Sequence, residues 1–136
     1  MEEVVRTKRL DIVDDNGKTR MVLAADKNTP RIVLVDENGQ SRASLRFKGD
    51  CSELILADQN GNTRLNLSLD EDGPILVLID ENRKQRAILK TDEDGPRLVL
   101  ADEDENVRAR LETDEDGPGL VLFDLNGNPK AVFSLD

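Results

Sequence analysis

Residues 76–97 read LVLIDENRKQRAILKTDEDGPR, and blocks of this same length, 22 residues, follow one another without a gap along nearly the whole chain. Such a repeat is considered before any local pattern, because each repeat is one structural unit of a larger array. The blocks begin at six apolar residues: Leu10, Ile32, Leu54, Leu76, Leu98 and Leu120. We therefore expect a single repeat domain over residues 10–136, preceded by an N-terminal cap segment over residues 1–9.

Each block divides into two halves, and each half predicts a short strand followed by a turn. In the first half a run of four apolar residues, such as Ile32-Val33-Leu34-Val35, is followed by a turn of the type Asp36-Glu37-Asn38-Gly39. Asp, Asn and Gly are typical of hairpin turns, because they accept backbone N–H bonds or adopt positive φ. In the second half Leu65, Leu67 and Leu69 alternate with polar residues, which is the period of a strand. The pattern predicts an all-β fold of about twelve short strands, two per repeat, paired as antiparallel hairpins.

Two blocks depart from this turn pattern. Arg83 and Glu105 stand where the other blocks carry the turn glycine. Positive φ is uncommon for residues other than Gly, so we expect these two turns to be strained or differently shaped.

The two kinds of strand require different surroundings. First-half strands are apolar on both faces, whereas second-half strands have one apolar and one polar face. A flat meander would leave an apolar stripe in water, so either the chain folds back on itself or identical chains cover one another. We expect an inter-chain seam formed by the Leu, Ile and Val of the first-half strands, and in particular by Val33, Val35, Ile55, Val77, Ile79, Val99, Val121 and Phe123.

Charged residues recur at fixed positions beside the first turn of each block. Asp80 and Arg86 stand on either side of one turn, and the other blocks carry the equivalent pair, with Lys130 in place of Arg in the last. Repetition in every block indicates a cross-strand charge pair rather than an active site. In the alternative, a parallel solenoid, Asp would stack on Asp every ~4.8 Å, which is costly without a bound cation. We therefore favour antiparallel hairpins.

The repeat resembles two groups of known proteins. Ile32-Val33-Leu34-Val35-Asp36, followed by Gly39, Arg42-Ala43 and Leu45, is similar to the tandem units of a group of uncharacterised bacterial repeat proteins. The alternation of a hairpin turn with a turn such as Asp72-Gly73-Pro74 is also similar to the triple β-spiral of viral fibre shafts. The resemblance spans roughly residues 4–136. It implies an elongated β-spiral or prism-like assembly of three chains, and it implies no chemistry.

Composition argues against several classes of function. The 136 residues include 19 Lys and Arg against 29 Asp and Glu, a net charge of −10, which disfavours binding to nucleic acid or to an anionic membrane. The chain has no His, Trp or Tyr, so it lacks the commonest general base, the commonest metal ligand and the usual stacking residues. No apolar run approaches the ~18 residues of a membrane span, and Met1-Glu2-Glu3 does not resemble a signal peptide.

Two features invite a chemical interpretation. The acidic turns at residues 92–95 and 114–117 could bind Ca²⁺ weakly, although they lack the ligand spacing of an EF-hand loop. Cys51 occupies the turn position of Gly73 and Gly95, but the chain offers it no histidine base. We therefore expect no catalytic residue, no specific metal site and no cofactor.

The sequence thus predicts a non-enzymatic structural repeat protein that self-associates as a homotrimer and acts as a fibre shaft, spacer or scaffold. Two alternatives stay open. One is a monomeric β-repeat module that binds a protein partner, and the other is a calcium-dependent repeat module.

Overall fold

In the computed structural model, residues 4–26 and 29–134 are described, and their regular secondary structure is all β. Twelve strands follow one another along the chain: β1 Arg9–Val13, β2 Thr19–Asp26, β3 Thr29–Val35, β4 Ser41–Lys48, β5 Cys51–Ala57, β6 Thr63–Asp70, β7 Gly73–Ile79, β8 Gln85–Asp92, β9 Gly95–Ala101, β10 Val107–Asp114, β11 Gly117–Phe123 and β12 Pro129–Ser134. This part of the chain contains no helix that could cross a membrane.

The strands form one open sheet in which each strand pairs only with its neighbours in sequence. Every pairing is antiparallel, from β1 with β2 to β11 with β12. The prediction of an all-β array of antiparallel hairpins, two strands per block, is therefore confirmed. A stacked parallel coil is excluded for the described residues.

The pairing shifts by one residue beside the first turn of each block. Leu78 pairs with Ala87, whereas the next pair is Ile79 with Gln85, so Arg86 is the extra residue of a β-bulge. Equivalent shifts occur in the other five blocks. The bulge places the arginine of the repeat beside the aspartate of its own turn.

The N-terminal segment is only partly included in the sheet. Residues 4–8 precede β1, and the N–H of Ala25 donates to the carbonyl of Lys8 at 3.0 Å. The first three residues of the predicted cap, Met1 to Glu3, lie outside the described residues.

The sheet is a single layer and encloses no hydrophobic core. Among the described residues only Val22 and Ala24, each 8% exposed, are buried. The accessible surface of the chain is 10205 Å², whereas a folded monomer of 15.1 kDa exposes about 7,100 Å². The open sheet therefore leaves in water a large area that a protein of this mass would normally bury.

Candidate functional site

One face of the sheet, here called the leucine face, is lined by two rows of apolar residues. In the register of the sheet, each member of a row pairs with the next across the neighbouring strand. The first row consists of Leu10, Leu23, Ile32, Leu45, Leu54, Leu67, Leu76, Leu89, Leu98, Leu111, Leu120 and Phe133. The second row consists of Ile12, Met21, Leu34, Ala43, Leu56, Leu65, Leu78, Ala87, Leu100, Ala109, Leu122 and Ala131.

Most of the large side chains of the leucine face are open to solvent. They are exposed to an extent that ranges from 36% at Leu23 to 61% at Phe133, whereas Met21, Leu65, Leu76, Leu98 and Leu120 are half-buried. Neither row contains an ionisable residue. A contiguous apolar surface of this extent is typical of an interaction site.

The opposite face, here called the mixed face, carries the eight predicted seam residues. One row on this face consists of cross-strand pairs that run from Val33 through Ser44, Ile55 and Asn66 to Val77. The full predicted set shares this face: Val33, Val35, Ile55, Val77, Ile79, Val99, Val121 and Phe123. All eight are half-buried. Their role as an inter-chain seam stays a prediction.

Long charged side chains share the mixed face and account for its lower exposure. The register places Arg46 opposite Glu53 on this face, and Arg46 Nε lies 2.5 Å from Glu53 Oε2. The guanidinium of Arg110 lies 5.9 Å from the ring centre of Phe123. The aliphatic stems of such residues cover apolar neighbours while their charged ends stay in water. The mixed face is therefore covered by its own chain to a larger extent than the leucine face.

The first turn of each block is built around one aspartate. Asp80 Oδ1 accepts the N–H of Asn82 at 2.8 Å and that of Lys84 at 3.0 Å, while the N–H of Asp80 donates to the carbonyl of Lys84. The same two N–H bonds to Oδ1 recur at Asp14, Asp36, Asp58, Asp102 and Asp124. These carboxylates close turns, which is the structural role that the turn chemistry predicts.

The second carboxylate oxygen meets the basic residue of the repeat. Arg86 Nη1 lies 3.1 Å from Asp80 Oδ2, as the sequence predicts. The equivalent ion pair is present in all six blocks, with Lys130 as the cation in the last. These groups are partly exposed, so solvent screens each pair and its contribution to stability is small.

The arginines also connect adjacent blocks, which the sequence does not reveal. Arg86 Nε donates to the carbonyl of Ala101, which lies on the next strand and in the next block, at 2.9 Å. Arg64 donates to the carbonyl of Ile79 at 2.9 Å, and Arg42 donates to that of Ala57 at 3.0 Å. Each arginine therefore joins its own turn to the following hairpin, so these residues stabilise the array.

The hydrogen bonds of the turns lower the pKa of their aspartates. At Asp80 the strongest cause is the N–H of Lys84, and Arg86 adds to it, so the pKa of Asp80 lies below its usual value. At Asp58 and Asp102 partial desolvation opposes the shift, but the N–H donors outweigh it and the pKa is again lowered. The aspartates are thus held in the ionised form that the turn requires.

The two turns without glycine keep the common shape. Arg83 and Glu105 have φ of 65° and 66°, and the N–H of Arg83 donates to the carbonyl of Asp80 at 3.1 Å, as the N–H of Gly39 does to that of Asp36. The expected strain is therefore present as left-handed backbone, and the alternative of a different turn shape is wrong.

Cys51 lies at the second turn of its block. It pairs with Lys48 in the same register in which Gly73 pairs with Asp70, but here the positive φ, 60°, falls on Gly49. This change of turn conformation explains how a cysteine replaces the glycine. The thiol is half-buried, and its sulfur approaches only the carbonyl of Ser52, at 3.8 Å.

The acidic second turns do not assemble a cation site. Within residues 4–26 and 29–134, no group of three or more Asp, Glu or Cys residues is arranged to hold a metal ion. Asp94 and Asp116 instead donate their N–H groups to the carboxylates of Asp92 and Asp114. These contacts are those of turn formation.

Comparison with known proteins adds no relative in sequence. No protein-family model and no curated protein matches the chain. Among solved structures, the sheet is similar to part of a mutant of S. aureus TarM crystallised with Fondaparinux, α-GlcNAc-glycerol and UDP, at 10% identity and a TM-score of 0.44. The match covers 90% of this chain and 21% of that chain. A similarity at this level carries no inference about function.

Proposed function

We propose that this chain is a non-enzymatic structural repeat protein, a shaft, spacer or scaffold that is assembled from several copies of itself. The observation that carries the proposal is the coreless open sheet, which exposes about 3,100 Å² more than a folded monomer of its mass. Burial of apolar area is the main stabilising contribution to folding, and a single-layer sheet obtains little of it alone. Further copies of the chain would supply the missing contacts.

The uniformity of the blocks supports a mechanical rather than a chemical role. The aspartates of the first turns repeat the same contacts in all six blocks, and an active site would more often be singular. The chain has no histidine, and Cys51 contacts no base. Acid, base and nucleophile are therefore not brought together among the described residues, as an enzyme would require.

The dimensions of the sheet suit the predicted trimer. Most strands have seven or eight residues and span about 25 Å. Three sheets of this width, arranged as the sides of a triangular prism, would each lie about 7 Å from the common axis, somewhat more than half of the ~10 Å that separates packed sheets. Three copies could therefore fill the interior with side chains of leucine size.

The solution mass tests the proposal. Light scattering with refractive-index detection suits this chain, because it lacks Trp and Tyr. We expect a particle of three times the 15.1 kDa chain. A folded 15.1 kDa monomer would overturn the proposal and would favour a monomeric module that binds a protein partner.

A further inference from the structure

The two faces of the sheet differ in how much of their apolar surface is covered by other side chains of the same chain. On β7, Leu78 of the leucine face is 43% exposed, while its neighbour Val77 on the mixed face is half-buried. The mixed face has the ion pairs of Arg46, Arg97 and Arg110 around its apolar residues. The rows of the leucine face have no such cover.

We propose that the leucine face packs against the leucine faces of the other copies of this chain in the assembly, and that the mixed face points outward. This inference rests on the proposed function and specifies its interface. It differs from the sequence-based expectation, which placed Val77 and Ile79 in the seam.

The area of the leucine face is sufficient for a stable assembly. Twelve strands at ~4.8 Å spacing and a strand length of ~25 Å give a face of roughly 1,400 Å² on each chain. The three leucine faces of a trimer would together bury about 4,200 Å², which lies in the range of obligate interfaces between identical chains.

The pattern of the rows favours a copy over an unrelated partner. In the second row, alanines at 43, 87, 109 and 131 interrupt leucines, so large side chains and shallow gaps alternate. A surface that carries both can interdigitate with itself across a symmetry axis. The rows are also free of charge, so they offer nothing specific to a charged partner.

Thiol labelling at two adjacent positions tests the assignment. In a Cys51→Ser background, Leu78→Cys and Val77→Cys place one thiol on each face of the centre of the sheet. In an isolated sheet the thiol at position 78 would react faster with a maleimide, because this position is the more exposed. Each maleimide reaction rate is divided by the rate of the same variant in urea. In the assembly we expect the reverse order, with Leu78→Cys at least tenfold slower than Val77→Cys.

The outcomes separate the two proposals. The mass of both variants is measured by light scattering beside that of the unmodified chain. If the unmodified chain is a monomer, the proposed function fails. If it is an oligomer and Leu78→Cys still reacts faster, the self-association stands and the assignment of the leucine face is overturned.

Discussion

The two turns of each block place different demands on the glycine that closes them. Gly39 has a φ of 82° with open space around it, and Arg83 and Glu105 occupy the equivalent positions in other blocks. Gly95 has a φ of 108°, and a Cβ there would lie 2.3 Å from the carbonyl oxygen of Thr113. The first position tolerates a side chain at a cost in strain, whereas the second does not.

Alanine substitution at these two glycines should therefore have unequal effects. Gly39→Ala should lower the free energy of unfolding by about 1 kcal/mol, the cost of left-handed backbone. Gly95→Ala should lower it by about 3 kcal/mol or more, since unfavourable φ and a clash with backbone act together. Urea unfolding followed by circular dichroism measures both, and equal losses would contradict the described turn geometry.

The turn aspartates should make the protein sensitive to acid. Their pKa values are lowered in the folded sheet, as at Asp36 by the N–H of Gln40 and at Asp14 by that of Lys18, whereas an unfolded Asp titrates near ~3.9. A lowered folded pKa gives stability that is complete above the unfolded value and is lost as the pH falls through the folded value. The melting temperature should therefore fall between pH 5 and pH 2.

Acidification also neutralises part of the net charge of −10 and so weakens the repulsion between carboxylates, which raises the melting temperature. Melting is therefore measured in about 0.5 M salt, which screens that repulsion. Asp36→Asn keeps an oxygen for the two N–H donors and does not titrate, so this variant should lose less stability on acidification. A melting temperature that does not fall with pH would show that the carboxylates contribute nothing to the turns.

Each hairpin contacts only its neighbours, so the fold behaves as a one-dimensional array. The sheet order follows the chain from β1 to β12, and the arginine bonds also reach only the next block. In such an array the stability is approximately the sum of the blocks and of the interfaces between them. The number of blocks should therefore be adjustable.

Removal of one complete block should leave a folded protein. Deletion of residues 76–97 joins Ile75 to Leu98, which restores the order of strand and turn residues. Deletion of residues 76–96, one residue fewer, should be much more damaging, because a shift of one residue moves every later side chain of that strand to the other face. Circular dichroism melting compares the two, and equal behaviour would contradict the fixed register.

Most of the local structure could be predicted because it depends on neighbouring residues in the sequence. The alternation of Leu65, Leu67 and Leu69, the Asp36 turn and the pairing of Asp80 with Arg86 all follow from spacing along one hairpin. The uneven cover of the two faces could not be predicted in this way. The cover of each face depends on the conformations of long side chains, such as that of Arg86, which donates to the carbonyl of Ala101 in the next block.

The shape of the whole molecule also lies beyond local rules. Both a folded-back chain and an open meander satisfy the same strand and turn patterns. The structure is an open sheet. The apolar area that its leucine face exposes to water is therefore the main unfavourable contribution to its stability. We propose that further copies of the chain cover this face.

Small-angle X-ray scattering of the unmodified chain is the sharpest test of the proposed assembly, because one curve gives both the mass and the cross-section. We predict three times 15.1 kDa and a short prism about 55 Å long, which is the stack of twelve strands at ~4.8 Å spacing, with a cross-section wider than one sheet. A mass of 15.1 kDa with the thickness of a single sheet would contradict it.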